Sequence, residues 1–191
     1  MSETTVALRS PLEDIELADR PAVATLTDIG PRLRFVIRGN DVVVASLAGS
    51  IGVVPPTAIN RATVAGSRAA LKLGPDEWLL LAEPAGDLQL DPSRNTKYSL
   101  IEISHRNAGL QLSGPKVEAV LAAGCPLPLD PVSFPVGRAT RTLYAKAEIV
   151  LWRTAATVFH IEVARSIAPY LAAHFGEVIA IEAALAVRAD L

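Results

Sequence analysis

Leu33, Phe35 and Ile37 alternate with Arg32, Arg34, Val36 and Arg38. A period of two with apolar side chains on one side and arginines on the other predicts a strand. Gly39-Asn40-Asp41 then offers a turn and a helix N-cap, and residues 42–47 form the helix that follows. Gly49 and Gly52 can end it, and Pro55-Pro56 forbids its continuation. Beyond Gly66, the apolar runs 69–73 and 78–81 flank Gly74-Pro75-Asp76-Glu77, which predicts a hairpin.

The same order returns roughly 70–75 residues further on. Residues 109–112 form a short strand, Ser113-Gly114-Pro115 opens a helix, and Val117, Val120 and Leu121 fall at i, i+3 and i+4. Gly124 closes that helix, and Pro126, Pro128, Pro131 and Pro135 mark an extended link. Residues 142–152 and 158–163 form the second hairpin, about residues 153–156. Each hairpin leads to a helix and a closing strand. In the first half these are residues 84–95, with Pro92 inside, and 98–103. In the second half Ser166 caps a helix with Ile167, Tyr170, Leu171, His174 and Phe175 on one side and Gly176 at its end. Residues 178–181 are the final strand, with an Ala-rich helix as the alternative. The plan is an α+β fold of two pseudo-duplicated β-α-β-β-α-β, ferredoxin-like halves packed by their sheets. It divides as an N-terminal extension at 1–30, a first half at 31–104 and a second at 105–191.

Composition narrows the function classes. Half of the 191 residues are hydrophobic and a fifth charged, which suits a folded protein with a core built mainly from Ala, Val, Leu and Ile. A net charge of −2 argues against a nucleic-acid binder, and Arg61, Arg68, Arg138, Arg141 and Arg153 are dispersed, which suits solvated strand ends. The single Cys125 excludes an internal disulfide and fits a reducing compartment. The first residues lack the basic start and apolar core of a secretory signal, and residues 167–187 are interrupted by Pro169, Gly176, Glu177 and Glu182, so a cytoplasmic location is expected.

Candidate chemistry is sparse. His105 is the candidate for proton transfer, because histidine as a residue type suits that role, but strand alternation puts Glu102 and Ser104 on one face and His105 on the other, so it reads as structural. His160, within a strand, and His174, on a helix, lack the spacing of a metal pair. Cys125 follows a helix C-terminus, where the dipole disfavours a thiolate. Residues 49–52 do not complete a phosphate loop. Asp76-Glu77 and Glu13-Asp14 read as solvated turn and tail. Trp78 and Trp152 read as core or interface anchors. No catalytic, cofactor-binding or metal site is expected on this chain.

Several motifs, in order, resemble the gamma subunit of heterotetrameric sarcosine oxidase: Gly74-Pro75-Asp76-Glu77-Trp78, Ser104-His105-Arg106-Asn107-Ala108-Gly109 with Leu112-Ser113-Gly114-Pro115, Ala123-Gly124-Cys125-Pro126-Leu127, and the run 146–153. The stretch 104–115 also resembles the glycine-cleavage T protein, an aminomethyltransferase, whose fold the resemblance implies. It further implies a non-catalytic subunit of a complex with alpha, beta and delta partners. That complex demethylates sarcosine oxidatively to glycine and passes the one-carbon unit to tetrahydrofolate. FAD, FMN, NAD and tetrahydrofolate are then expected on other subunits. Where the T protein has an acidic pair in its second hairpin, this chain has only Glu148, which speaks against folate binding here. Trp78, His105, Arg106 and Trp152 are the residues singled out as interface or structural positions. The alternatives are a stand-alone folate-dependent transferase and a small-molecule binding module on the same fold.

Overall fold

The computed structural model describes residues 9–83 and 97–189. In chain order the elements are β1 (Asp19–Arg20), β2 (Ala24–Asp28), β3 (Leu33–Gly39), α1 (Asp41–Ala45), α2 (Ala48–Ile51), β4 (Arg61–Ala65), β5 (Arg68–Gly74), β6 (Glu77–Ala82) and β7 (Tyr98–Glu102). There follow β8 (Asn107–Ser113), α3 (Val117–Ala122), β9 (Ala139–Tyr144), β10 (Ala147–Ala155), β11 (Val158–Ala164) and α4 (Ala168–Ala189). The helix expected at 84–95 lies outside the described residues.

Two sheets form, ordered β4-β5-β6-β3-β7 and β9-β10-β11-β8-β2-β1. The duplication is plain in that order, since β4, β5, β6 and β3 of the first sheet correspond to β9, β10, β11 and β8 of the second. The fold is α+β. Three cores stack through it. One lies between α1–α2 and the first sheet, centred on Val44, Ile51, Ile37 and Trp78. A second joins the sheets, through Leu71, Leu79 and Leu81 on one side and Val150 and Trp152 on the other. The third packs α3 and α4 on the second sheet. Strands in the middle are therefore buried on both faces, which is why β6 and β10 read as continuous apolar runs. Each fully buried Leu or Val contributes about 1.5–3 kcal/mol of transfer free energy.

Asn40 caps α1 as expected, its side-chain oxygen accepting from the Val43 N–H at 2.9 Å, and Gly52 ends α2 at φ 69°. Between them the single expected helix breaks at Ser46, whose hydroxyl donates to the Val43 carbonyl.

Four expectations need correction. First, each of the two expected hairpins gains an edge strand that the sequence pattern did not mark. β4 is a short, largely exposed strand that pairs with β5. The long strand expected at 142–152 is instead β9 and β10, folded back at Ala145-Lys146 with Tyr144 opposite Ala147. Ala145 sits at φ 50°, and no glycine or asparagine signals the turn. The Ala145 N–H donating to the Gly124 carbonyl at 2.9 Å holds it there. These two overlooked strands join the sheets edge to edge. Arg61 pairs with Arg138, the Ala62 N–H donates to the Gly137 carbonyl at 2.8 Å, and the Ala139 N–H donates to the Asn60 carbonyl at 3.2 Å.

Second, residues 178–181 take the helical alternative rather than the strand, and Gly176 lies inside α4 rather than at its end. Val178 and Ile179 extend the stripe begun by Leu171 and Phe175 into the same core, and that burial outweighs the roughly 1 kcal/mol a mid-helix glycine costs. Third, the place beside β8 left by that missing closing strand is filled by β2, which pairs Thr25 with Ser113 through Asp28 with Leu110. The segment before residue 31 thus completes the second sheet. Gly114 permits this junction: at φ 142°, a Cβ there would lie 2.6 Å from the Val23 carbonyl oxygen and 2.7 Å from the Ala24 Cα. Gly114→Ala should destabilise the chain by about 2–3 kcal/mol in urea denaturation, since backbone on both sides must move. Unchanged stability would remove β2 from the account.

Fourth, the arginines are not simply solvated. Arg153 is 2 % exposed, and its guanidinium donates to the carbonyls of Leu129 and Phe134 at 3.0 Å each and to Glu118 and the Ala156 carbonyl. Arg138 donates to the Ser133 carbonyl at 2.8 Å. Together they pin the proline-rich link to β10.

Candidate functional site

The sheets pack face to face, and polar groups caught between them must find partners. In β3, Arg34 alternates with Leu33 and Phe35, and so points to the face that the second sheet covers. It is 1 % exposed. In β11, His160 and Glu162 stand two residues apart and share the opposing face. The Arg34 Nε–H donates to Glu162 Oε2 at 2.5 Å, and His160 Nε2 lies 2.8 Å from Glu162 Oε1. Gly109, opposite Glu162 in β8, leaves the room, because a Cβ there would lie 2.8 Å from Arg34 Nη2 and 3.0 Å from Glu162 Oε1. Burial pushes the Glu162 carboxyl pKa up, but the hydrogen bond and charge of His160 and the charge of Arg34 outweigh it, and the net shift is downward. Glu162 is therefore ionised at neutral pH, and His160 presents Nε2–H to it.

Two clefts flank this cluster. One, of about 330 Å³, has Val36, Leu79, Ile103 and Val150 in its walls and Arg106, Arg141 and Glu148 among its polar residues. The other, of about 280 Å³, is bordered by Arg32, Gln111, Trp152 and His160. At the rim of the first, Glu77 is buried and its carboxylate accepts from both Arg38 and Arg141, while Asp76 accepts from Arg38 at 3.2 Å. Glu77, expected to be solvated, is thus an ion-pair bridge between the sheets.

The residues singled out from the sequence are dispersed. Trp78 is 1 % exposed in the first core, its Nε1–H donating to the Pro56 carbonyl at 2.9 Å with the Lys72 ammonium 4.7 Å from the ring centroid. Trp152 is buried between the sheets, its ring 5.6 Å from that of His160. Both indoles are packed largely inside the molecule, Trp152 with an edge on the second cleft. His105 and Arg106 are exposed in the turn between β7 and β8, where the Arg106 N–H donates to the Ile103 carbonyl at 2.9 Å. Ser104 beside them is buried, and its hydroxyl accepts from the Arg34 N–H at 3.0 Å. His105 and Ser104 thus do not act together. Cys125 is buried, its Sγ 3.8 Å from Thr142 Oγ1.

Arg34, Glu77 and Glu162 escaped the sequence reading. Arg34 read only as one of the arginines on the second face of a strand. Only Glu162, a charge within the apolar run Phe159-His160-Ile161-Glu162-Val163, carried a legible signal. Among the described residues, no group of three or more His, Cys, Asp or Glu is placed to hold a metal ion. The charged cluster itself is committed to joining the sheets.

Comparison with known proteins gives the family. The sequence model of the sarcosine oxidase gamma subunit family matches residues 39–180. The sarcosine oxidase subunit gamma of Corynebacterium sp. (strain U-96) is 35 % identical over 176 residues, 81 % of each chain. That of Arthrobacter sp is 36 % identical over 115 residues, 58 % of this chain and 56 % of its own. Among solved structures, a chain of the heterotetrameric sarcosine oxidase from Corynebacterium sp. U-96, in complex with pyrrole 2-carboxylate, superposes with a TM-score of 0.77 at 28 % identity, covering 90 % of this chain and 94 % of that one. The glycine cleavage system aminomethyltransferase T of Bartonella henselae shares the fold, with a TM-score of 0.59 at 19 % identity over 81 % of this chain and 45 % of its own. The chain belongs to the sarcosine oxidase gamma subunit family.

Proposed function

We propose that this chain is the non-catalytic gamma subunit of a cytoplasmic heterotetrameric sarcosine oxidase, assembled with alpha, beta and delta subunits. In this reading the complex oxidises sarcosine to glycine, and FAD, FMN, NAD and tetrahydrofolate are held by the other subunits. The one-carbon unit passes to tetrahydrofolate away from this chain. The observation that carries the reading is likeness in both sequence and fold, over four fifths or more of each chain, to a single oxidase. The interior supports it: Arg34, Glu77, Glu162 and Arg153 spend their charges on protein partners. Glu148 is exposed on β10, 4.0 Å from Arg141, with no second carboxylate beside it in the hairpin.

Co-expression with the other three subunits, followed by native mass spectrometry, tests the assignment. One copy of this chain should be found in each complex with the flavoprotein subunits. A chain that never enters such a complex, or that binds tetrahydrofolate alone in calorimetry, would refute it.

A further inference from the structure

Across the second sheet, Trp152 of β10 stands opposite His160 of β11, and His160 stands opposite Gln111 of β8. Residues paired in this way share a face, and His160 faces the first sheet together with Glu162. The three therefore form one polar row along the cleft of about 280 Å³, whose other side includes Val64 and Leu81 of the first sheet. Two of the three are more than nine-tenths buried, Trp152 at 8 % and His160 at 6 % exposure. The Trp152 Nε1–H has no hydrogen-bond partner among the described residues. A buried indole N–H ordinarily finds an acceptor. On its neighbour, Glu162 takes the Nε2–H at 2.8 Å. The neutral imidazole then keeps its lone pair on Nδ1, an acceptor that is also without a hydrogen bond among the described residues.

We propose that this cleft binds a small neutral ring compound that carries a carbonyl and an N–H side by side, a cyclic amide or ureide. Its carbonyl accepts from Trp152 Nε1–H, its N–H donates to His160 Nδ1, and its apolar face rests against Val64 and Leu81. The ring centroids of Trp152 and His160 lie 5.6 Å apart, so the row offers one donor and one acceptor on neighbouring side chains. An amide answers both when its two polar groups share an edge, as they do in a ring; an open-chain secondary amide is trans and turns them to opposite sides. A carboxylate would set its charge against the Nδ1 lone pair and the ionised Glu162 behind it. An ammonium group would leave the indole N–H unanswered. Gln111, at the exposed end of the row, has a donor and an acceptor for the further polar group of a ureide. Apolar walls with a few placed polar groups are the usual make-up of a small-molecule site, and this volume lies near the lower end of such sites. A ligand site here is independent of the assembly proposed above.

Titration of the isotope-labelled full chain with pyrrolidone, followed by NMR, tests the site. Pyrrolidone should shift the Trp152 indole signal and the His160 and Gln111 amide signals saturably, with a midpoint at or below about 10 mM, and leave the Trp78 indole unmoved. N-methylpyrrolidone keeps the carbonyl but has no N–H for His160, and it should bind at least about tenfold more weakly, as should acetate. Trp152→Phe keeps an aromatic ring in the core and removes the donor. It should weaken pyrrolidone binding by a similar factor, read on the His160 and Gln111 amides. Should that variant fail to fold, the comparison of the two ring compounds on the wild-type chain decides alone. Absence of saturable shifts up to about 100 mM overturns the proposal. So does equal affinity for the N-methyl compound, or tighter binding of acetate than of pyrrolidone. Shifts that vanish once the chain is assembled with the other subunits would mean that a partner side chain fills the cleft, and would overturn it too.

Discussion

Arg34→Met should lower the unfolding free energy by about 3–5 kcal/mol, because it leaves the Glu162 carboxylate buried with its cationic partner removed. The Arg34–Glu162 pair ties β3 to β11 across 128 residues of chain. Replacing both members by apolar residues, as in Arg34→Met/Glu162→Leu, should recover at least half of the loss, since no uncompensated charge remains. A pH series sharpens the test. The folded-state pKa of Glu162 lies below its ordinary value of 4.5. The stability it contributes is therefore fully present above about pH 4.5 and disappears as pH falls through the depressed folded value. The difference between wild type and Glu162→Gln should be constant near neutrality and shrink in acid. A gap that widened on acidification would contradict the arrangement.

Arg153→Met should cost a comparable amount, about 3–5 kcal/mol. Its guanidinium supplies the carbonyls of Leu129, Phe134 and Ala156 as well as Glu118. Hydrogen bonds to charged groups contribute roughly 1.5–3 kcal/mol each, and a buried acceptor left unmade loses its hydration without replacement. Methionine keeps much of the stem volume, so the loss reads the polar contacts rather than a cavity. Amide exchange should show where it acts, with protection falling first in the link at residues 126–137. A loss below about 0.5 kcal/mol, the usual scale for surface changes, would mean that Arg153 is solvated after all.

These two arginines show where the sequence was legible and where it was not. The duplicated order of strand, helix, proline link and hairpin was readable because glycines, prolines and apolar spacing punctuate it, as at Asn40, Gly52 and Gly74. The Ala145-Lys146 turn was not, because an alanine adopts a positive φ there under tertiary constraint. Nor was β4, whose exposed, mixed residues carry no clean alternation. Burial of Arg34 depends on the second sheet covering the arginine face of β3. Alternation identifies two faces, but what covers the second of them is decided by residues more than a hundred positions away. The same holds for β2, which takes a place in the second sheet that the local pattern had assigned to residues 178–181. At the site level, His160 and Glu162 sharing one face of a strand was available from spacing alone, whereas the pairing with Arg34 was not.

Under the proposed function, this chain packs and docks while the chemistry takes place on other subunits. Sarcosine-dependent oxygen uptake, measured for the purified chain alone and for the complex assembled with it, tests that division most directly. The complex should consume oxygen and the isolated chain none. Turnover of sarcosine by the isolated chain would contradict it.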